Sequence, residues 1–281
     1  MTRPTPTPIS LVATPIGNLG DISSRAVKAL TDATLIACED TRRTGQLLRH
    51  LGIGHRPFVV LNDHTEREVV DRLVAAATGG ERVALVSDAG MPAISDPGYL
   101  LVRAAIAAGV DVEVIPGPSA SLAALVVSGL ATDRFVFEGF LPRKGAERSR
   151  RLADVASQPR TVVLYEAPHR VRRTVADLVD ACDPERRVAL ARELTKLHEE
   201  VWRGTLAQAV VHLDEREPRG EYVVVLEGAA AEMATADDVA AELSALLESG
   251  MSTKDAAAEV AARHGVPKRD LYGLALELQQ R

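Results

Sequence analysis

Short apolar runs alternate with amphipathic stretches through the first 115 residues of the chain. The run Val83–Val86 is apolar without interruption, which is typical of a strand that is covered on both faces of a parallel sheet. The stretches between the runs carry apolar residues at helical spacing. The pattern predicts strands Ile9–Thr14, Thr34–Cys38, Phe58–Leu61, Val83–Val86 and Val112–Ile115, and helices Ser23–Ala33, Thr65–Ala77 and Gly98–Ala108, with a further helix around Gln46–Leu48. This alternation indicates an α/β fold with a mostly parallel sheet.

A second α/β half is predicted after the segment Pro116–Ser119, which interrupts the alternation and caps a helix over Ala120–Val127. The pattern then predicts strands Arg134–Phe137, Thr161–Tyr165, Val188–Ala191, Glu200–Arg203 and Tyr222–Leu226, and helices Ala146–Ala156 and Val171–Ala181. Charged loops follow three of these strands, at Leu141–Lys144, Glu166–Arg170 and Arg192–Lys196. Because ligands bind at the carboxyl ends of parallel strands, these loops favour a site between the two halves.

The alternation of predicted strands and helices ends after residue 230. Apolar residues at helical spacing predict one helix that Gly250 ends, a second helix over Ser252–Ala262 that Gly265 ends, and a third that Pro267 opens. A turn before the last helix suggests a helix-turn-helix. Eight acidic against five basic residues in the tail weaken a nucleic-acid role, so a helical appendage for dimerisation or packing remains an alternative. We expect domains at 1–117, 118–230 and 235–281.

The loop Val86–Gly98 after the fourth strand contains two glycines, two prolines, two serines and two aspartates, and almost no bulky side chain. Small residues let the backbone approach a ligand closely, and Asp88 and Ser95 offer short polar contacts. We therefore predict a ligand site at this loop. The alternative is an ordinary connection in which Asp96 caps a helix that starts at Pro97.

Composition limits the function. Hydrophobic residues at 46% and charged residues at 26% are typical of a globular protein with a substantial core. The net charge of -6 excludes a global basic field, so any polyanion must bind to local basic patches. Cys38 and Cys182 lack metal-site spacing, so we expect free thiols and no metal. The sequence shows no signal peptide and no membrane-spanning run, and we expect a cytoplasmic protein that does not bind a membrane.

One competing interpretation comes from the first strand, its glycine loop and the acidic pair Glu39 and Asp40, an order that imitates a dinucleotide-binding fingerprint. The loop Gly17–Asp21 does not match the glycine spacing of that motif, and Pro15 precedes it. A nicotinamide enzyme is therefore a weak competitor. Asp40 also has a purely structural interpretation, as the cap of the helix that holds Gln46.

A family resemblance rests on an ordered series of segments: ATPIGNLGDIS, ACEDTRRTGQLL, LVSDAGMPAISDPG, IPGPSA, EGFLPRK, YEAPHR, ARELTKLHEE and GEYVVVLEG. Together they resemble the tetrapyrrole methylase superfamily over roughly residues 9 to 228. The tail resembles the helix-turn-helix extension of the branch that methylates a cytidine 2'-hydroxyl in small-subunit ribosomal RNA. The tetrapyrrole branch has a G-x-G-P-G-D type loop where this chain has Gly17–Asp21, which argues against a porphyrinoid substrate.

The resemblance implies two α/β subdomains with a cofactor cleft between them and a small helical extension. It implies S-adenosylmethionine as the cofactor, and small-subunit ribosomal RNA or a 30S particle and a second copy of the chain as partners. The cofactor contacts that it suggests are Pro15, Asp88, Ala89, Gly90, Pro92, Ile94, Ser95, Ser119, Ala120, Tyr165, Leu194 and Glu221.

Methyl transfer to a hydroxyl depends mainly on alignment, which contributes about 7 to 11 kcal/mol in favourable cases, whereas a general base adds about 10²- to 10⁴-fold. The candidates for a base or a hydroxyl-orienting group are Glu39, Asp40, Glu166, His169 and Lys196, and each has a structural alternative, such as a Glu193–Lys196 pair. The candidate RNA contacts are Arg42, Arg43, Arg143, Lys144, Arg148, Arg150, Arg151, Arg170, Lys268 and Arg269. A small-molecule methyltransferase and a non-catalytic RNA-binding protein on the same scaffold remain alternatives.

Overall fold

A five-stranded parallel sheet forms the first half of the chain in the computed structural model. Its strands are β1 (Ile9–Val12), β2 (Leu35–Cys38), β3 (Phe58–Val60), β4 (Val83–Val86) and β5 (Val112–Ile115), in the order β3-β2-β4-β1-β5. The helices between them are α1 (Ser24–Asp32), α2 (Thr41–His50), α3 (Glu66–Thr78) and α4 (Tyr99–Ala107). All strand neighbours in this sheet are parallel, so every carboxyl end lies at the same edge.

Helices cover both faces of this sheet. Successive residues of β4 point to opposite faces, so Val83 and Leu85 pack against α3 and α4 while Ala84 and Val86 pack against α1 and α2. All four side chains are buried. This double burial explains why β4 has an uninterrupted apolar sequence.

The second half contains a mixed sheet in the order β6-β7-β10-β8-β9. Its strands are β6 (Phe135–Phe140), β7 (Thr161–Glu166), β8 (Arg187–Arg192), β9 (Glu200–Thr205) and β10 (Tyr222–Leu226). Its helices are α5 (Ala120–Ser128), α6 (Ala146–Ser157), α7 (Pro168–Ala181) and α8 (Leu206–Asp214). Residues of α6, α7 and α8 form a core with one face of the sheet, and α5 packs against the other.

Strand directions bring the predicted polar loops together. β6 is parallel to β7, and both β7 and β8 are antiparallel to β10, so β6, β7 and β8 run in the same direction. Their carboxyl ends and the amino end of β10 therefore meet at one edge of the sheet. The three charged loops of the second half lie at this edge, as the sequence predicted.

The contacts divide the chain into two compact units, Met1–Ala229 and Ala230–Arg281. The structure describes residues 7–62, 64–230, 236–264 and 266–279. In the second unit, α9 (Ala236–Glu248), α10 (Thr253–His264) and α11 (Lys268–Gln279) share a small apolar core. The predicted helix end at Gly265 and the domain limits at residues 1, 235 and 281 lie outside the described residues. No helix within the described ranges is long and apolar enough to cross a membrane.

Two local predictions need correction. The chain does not begin a helix at Pro97 with Asp96 as its cap, because α4 begins at Tyr99 after Gly98, whose φ is 131°. The sequence interpretation also missed α8. This helix carries a capping box, in which Thr205 and Gln208 exchange hydrogen bonds between side chain and backbone.

The start of α4 is instead capped from a distant helix. One carboxylate oxygen of Glu66, a buried residue of α3, accepts hydrogen bonds from the backbone N–H groups of Gly98 (2.8 Å) and Leu100 (3.0 Å). These donors lack partners within α4 itself because they belong to its first turn. Glu66 therefore fixes the end of the loop that follows β4.

We predict that Glu66→Ala lowers the free energy of unfolding by about 1 to 3 kcal/mol, because it leaves two backbone donors at a buried helix end without their carboxylate. Urea denaturation measures the change. Glu68→Ala, which removes an exposed carboxylate from the same helix, is the control. Equal stabilities for the two variants would contradict this role of Glu66.

Candidate active site

A cavity of about 380 Å³ lies where the loops of the two sheets face each other. The loop after β4, the start of α5 and the ends of β7, β8 and β10 contribute its walls. Apolar side chains such as Ile16, Ile94 and Val223 line it together with the carboxylate-bearing residues Asp88 and Glu221. The volume and the mixture of apolar and polar groups are typical of small-molecule sites, which span about 300 to 1,000 Å³.

Two hydrogen bonds attach the loop after β4 to the end of β1. The Thr14 N–H donates to the Gly90 carbonyl (2.9 Å), and the Gly90 N–H donates to the Thr14 carbonyl (3.1 Å). Gly90 has a φ of 82°, which favours glycine, and a Cβ there would lie 3.4 Å from Ile16 Cγ2. The glycine therefore lets the loop turn tightly into the cavity.

Backbone strain is concentrated around the cavity. Among the described residues, the non-glycine residues with positive φ are Ala93 (65°), Ser95 (59°), Glu193 (50°) and Thr195 (66°). The first two lie in the loop after β4, and the other two lie in the loop after β8. Residues in this region of φ are costly and occur preferentially at ligand-binding sites. Strain in both facing loops marks the cleft as the functional region.

A charged cluster forms the second-half wall. The Lys196 ammonium donates to Glu193 (2.9 Å) and to Glu221 (2.8 Å), and the Glu221 N–H also donates to Glu193 (2.9 Å). Burial alone would lower the pKa of Lys196, but the bonds to the two carboxylates outweigh it and raise that pKa. Burial would raise the pKa of Glu193, yet its bonds to Lys196 and to the Glu221 N–H lower it. Both groups are therefore charged at neutral pH, and the pairing of Glu193 with Lys196 is confirmed.

The first loop of the chain packs against the same cluster. The Asn18 N–H donates to the Thr195 hydroxyl (3.1 Å), across the cleft between the two halves. A Cβ at Gly17 would lie 2.9 Å from that hydroxyl oxygen, so only glycine allows this close approach.

Asp88 connects the ends of β4 and β2 with helix α2. It follows β4, accepts a hydrogen bond from the backbone N–H of Asp40 after β2 (3.2 Å), and forms an ion pair with Arg43 of α2 (3.5 Å). Asp40 itself caps α2 by accepting from the Arg42 N–H. The side-chain hydrogen bond from Arg42 holds the pKa of Asp40 at about 2. The structural interpretation of Asp40 is therefore confirmed.

Two of the five catalytic candidates line the cavity. Glu166 and Lys196 line it, whereas Glu39, Asp40 and His169 do not. Glu166 is buried, and its carboxylate accepts from the Ala167 N–H (2.9 Å) and the Thr174 hydroxyl (2.6 Å), and it pairs with Arg170 (3.2 Å). His169 is exposed at the start of α7.

All predicted cofactor contacts except Pro15 and Pro92 line the cavity. The ring of Tyr165 in β7 contacts Phe137 edge-on and Phe140 at a tilt. Its hydroxyl accepts from the Ser121 N–H (3.3 Å). The sequence interpretation missed several further lining residues: Ile16, Phe140, Glu193 and Val223. All of them lie in the quoted segments, which therefore contained the signal.

The predicted RNA contacts need revision. Arg148 is buried and bonds to Asp177, Thr174 and the Pro142 carbonyl, so its guanidinium is part of the fold and is not a surface contact. Arg170 bonds to Glu166 and the Leu141 carbonyl in the same way. The exposed candidates are Arg42, Arg43, Arg143, Lys144, Arg150, Lys268 and Arg269, while Arg151 is half-buried and pairs with Glu138. No metal-binding cluster occurs among the residues that the structure describes.

The chain matches two known families of protein domains. The family of Tetrapyrrole (Corrin/Porphyrin) Methylases matches residues 8–210, and an RsmI C-terminal HTH domain matches residues 229–279. The chain belongs to the tetrapyrrole methylase family. It is thus a member of a family of methyltransferases.

Similar curated proteins share nearly the whole chain. A Ribosomal RNA small subunit methyltransferase I from Synechocystis is 47% identical over 96% of this chain and 97% of the relative. The protein of the same name from Escherichia coli O157:H7 is 45% identical over 96% of this chain and 94% of its own length. Within the methylase family, the chain belongs with these proteins.

Solved structures confirm the two-sheet fold. The methyltransferase CobJ aligns with a TM-score of 0.61 at 22% identity, covering 80% of this chain and 95% of that one. A Thermus thermophilus uroporphyrin-III C-methyltransferase, solved in complex with S-adenosyl homocysteine, aligns with a TM-score of 0.56 at 22% identity, covering 78% and 96%. At this identity the likeness concerns the fold alone.

The close approach of Gly220 to Glu193 in the second-half wall leads to a prediction about stability. Gly220 has a φ of 76°, and a Cβ there would lie 2.5 Å from Glu193 Oε1. Gly109 has a similar φ of 68° but open space around it. Gly109→Ala should cost about 1 to 2 kcal/mol for the left-handed backbone alone. Gly220→Ala should cost about 1 to 3 kcal/mol more, because the methyl group displaces Glu193.

Urea denaturation of both variants separates the collision from the backbone strain, since only Gly220 faces another side chain. Equal losses at the two positions would show that Glu193 moves aside freely, and the wall would then not be rigid.

Proposed function

We propose that this chain transfers a methyl group from S-adenosylmethionine to the 2'-hydroxyl of a cytidine in small-subunit ribosomal RNA. The observation that carries the proposal is the strained cleft cavity, because the positive-φ residues of two facing loops border one site of ligand size. The names of the relatives support ribosomal RNA of the small subunit as the acceptor. The loop Gly17–Asp21, which departs from the tetrapyrrole-type sequence, supports an acceptor other than a porphyrinoid.

The lining of the cavity fits S-adenosylmethionine. Apolar side chains such as Ile94 and Leu194 suit the faces of an adenine ring, and the start of α5 at Ser119 suits a carboxylate, because a helix amino terminus attracts negative charge. The carboxylates of Asp88 and Glu221 favour a cation, which the sulfonium and the amino group of this molecule both provide.

When bound, S-adenosylmethionine would supply an activated methyl group for in-line transfer to a ribose oxygen, with its sulfur leaving as a neutral thioether. The residues of the cleft hold the reacting groups in register and exclude water. Alignment of this kind contributes about 7 to 11 kcal/mol in favourable cases. The rigid loops around Ala93 and Thr195 provide it, because their backbones are fixed in costly conformations.

The charge states of the lining residues argue against a strong general base. Lys196 is held as an ammonium by two carboxylates, and Glu166 already accepts two hydrogen bonds and pairs with Arg170. We assign the orientation of the hydroxyl to Asp88, a carboxylate at the cavity wall whose oxygens contact the Asp40 N–H and Arg43. The hydroxyl proton then leaves to solvent or to this carboxylate.

The first test is calorimetric titration of the full chain with S-adenosylhomocysteine. We expect saturable binding to the wild type and weaker binding to Asp88→Ala, because the substitution removes the carboxylate that ties the loop after β4 to α2. Asp111→Ala is the control, since it removes an exposed aspartate at the opposite, amino-terminal end of the same sheet. Absence of binding to the wild type would remove the methyltransferase proposal and favour a non-catalytic RNA-binding protein.

The second test concerns the revised basic patch of Arg143, Lys144 and Arg150, which are exposed around the start of α6. Replacing all three by alanine should flatten the dependence of log K on log salt for small-subunit RNA by about 0.7 to 0.9 per lost phosphate contact. Filter binding over a series of salt concentrations measures the slope. An unchanged slope would exclude this patch.

A triple variant of Arg25, Arg67 and Arg72 is the matched control for that slope. These exposed residues of α1 and α3 change the net charge equally without touching the patch. An equal flattening in the control would mean that overall charge, and not a local contact, sets the salt dependence.

A further inference from the structure

A second cavity of about 350 Å³ lies beside the first. One face of α2 forms its wall, because Arg43, Gln46, Leu47 and His50 follow each other at helical spacing. The loop after β1 forms the opposite side, where the exposed side chain of Leu19 contributes an apolar surface. The cavity is therefore as large as the first but is built from the first half of the chain only.

The two cavities share a wall. Arg43 and Asp88 line both of them, and their ion pair of 3.5 Å stands at the boundary. The Arg43 side chain is 62% exposed, so the pair is held at the surface and is not locked in the core. The two cavities therefore adjoin at these two side chains.

The lining of the second cavity suits a nucleoside. Leu19 and Leu47 offer apolar surfaces for the faces of a base, and the Gln46 amide offers both a donor and an acceptor for its edge. His50 and Arg43 add groups that hydrogen-bond to base, ribose or phosphate oxygens. An enzyme that modifies one nucleotide commonly takes it out of the stack and reads its edge in such a pocket.

We propose that the second cavity receives the target nucleotide of the RNA, unstacked, with its ribose at the wall formed by Arg43 and Asp88. This inference rests on the proposed function, because it assigns the acceptor site of that same reaction. Gln46 and His50 are then binding residues for the acceptor, and the cleft cavity holds the methyl donor. The arrangement places the 2'-hydroxyl at the boundary between the two cavities.

The test uses the full chain with small ribosomal subunits from bacteria that lack this gene, and S-adenosylmethionine with a radioactive methyl group. The variants are Gln46→Met, which keeps the length of the side chain but removes the amide, and His50→Ala. Both positions are exposed on the helix surface, so the fold should persist. We expect each variant to lower kcat/KM for the subunits by about tenfold, because one hydrogen bond to the acceptor is lost.

A second measurement distinguishes binding of the acceptor from binding of the methyl donor. The affinity for S-adenosylhomocysteine, measured by calorimetry, should be unchanged in both variants, because neither residue lines the first cavity. His55→Ala is the matched control, since it removes an exposed imidazole that lies outside both cavities and should leave both quantities unchanged.

The outcomes distinguish the two proposals. If the wild type transfers no label to the subunits, the proposed function and this inference fall together. If the wild type transfers label and both variants match it, the proposed function stands and the acceptor site is wrong. A parallel loss of S-adenosylhomocysteine affinity in the variants would also overturn the inference, because the second cavity would then belong to the donor site.

Discussion

The paired hydrogen bonds between Thr14 and Gly90 are the constraint on which the site depends. They join the end of β1 to the loop after β4, the two central neighbours of the first sheet. Once this loop is fixed, Asp88 can reach Asp40 and Arg43 at the end of β2. The carboxyl ends of three strands thereby form one rigid wall, against which a ligand can bind without ordering the loop first.

Bonds between charged side chains hold the second-half wall of the cavity in place. Glu193 and Thr195 hold unfavourable backbone conformations, and the bonds among Glu193, Lys196 and Glu221 stabilise them. Because the pKa of Lys196 is raised and that of Glu193 is lowered, the cluster persists across neutral pH. Lys196, a catalytic candidate in the sequence, thus helps to hold the loop in place.

A run of basic residues in the sequence does not show which of its side chains are exposed. The basic run before and within α6 looks uniform in the sequence, yet Arg148 points inward to Asp177 and Thr174 while Arg150 is exposed. Helical periodicity separates such neighbours by about 100° per residue, so only part of a basic run faces solvent. A buried guanidinium needs partners from elsewhere in the fold, here from α7.

The sequence by itself determined the alternation of strands and helices, the loop of small residues after β4 and the family, because all three depend on local residue order. Through the family resemblance it also suggested Ser119, Tyr165 and Leu194, which line one cavity in the structure. Only the tertiary structure decided that Glu66 caps α4 and that Arg43 and Asp88 divide two cavities. Those features depend on contacts between residues distant in sequence, which no local pattern encodes.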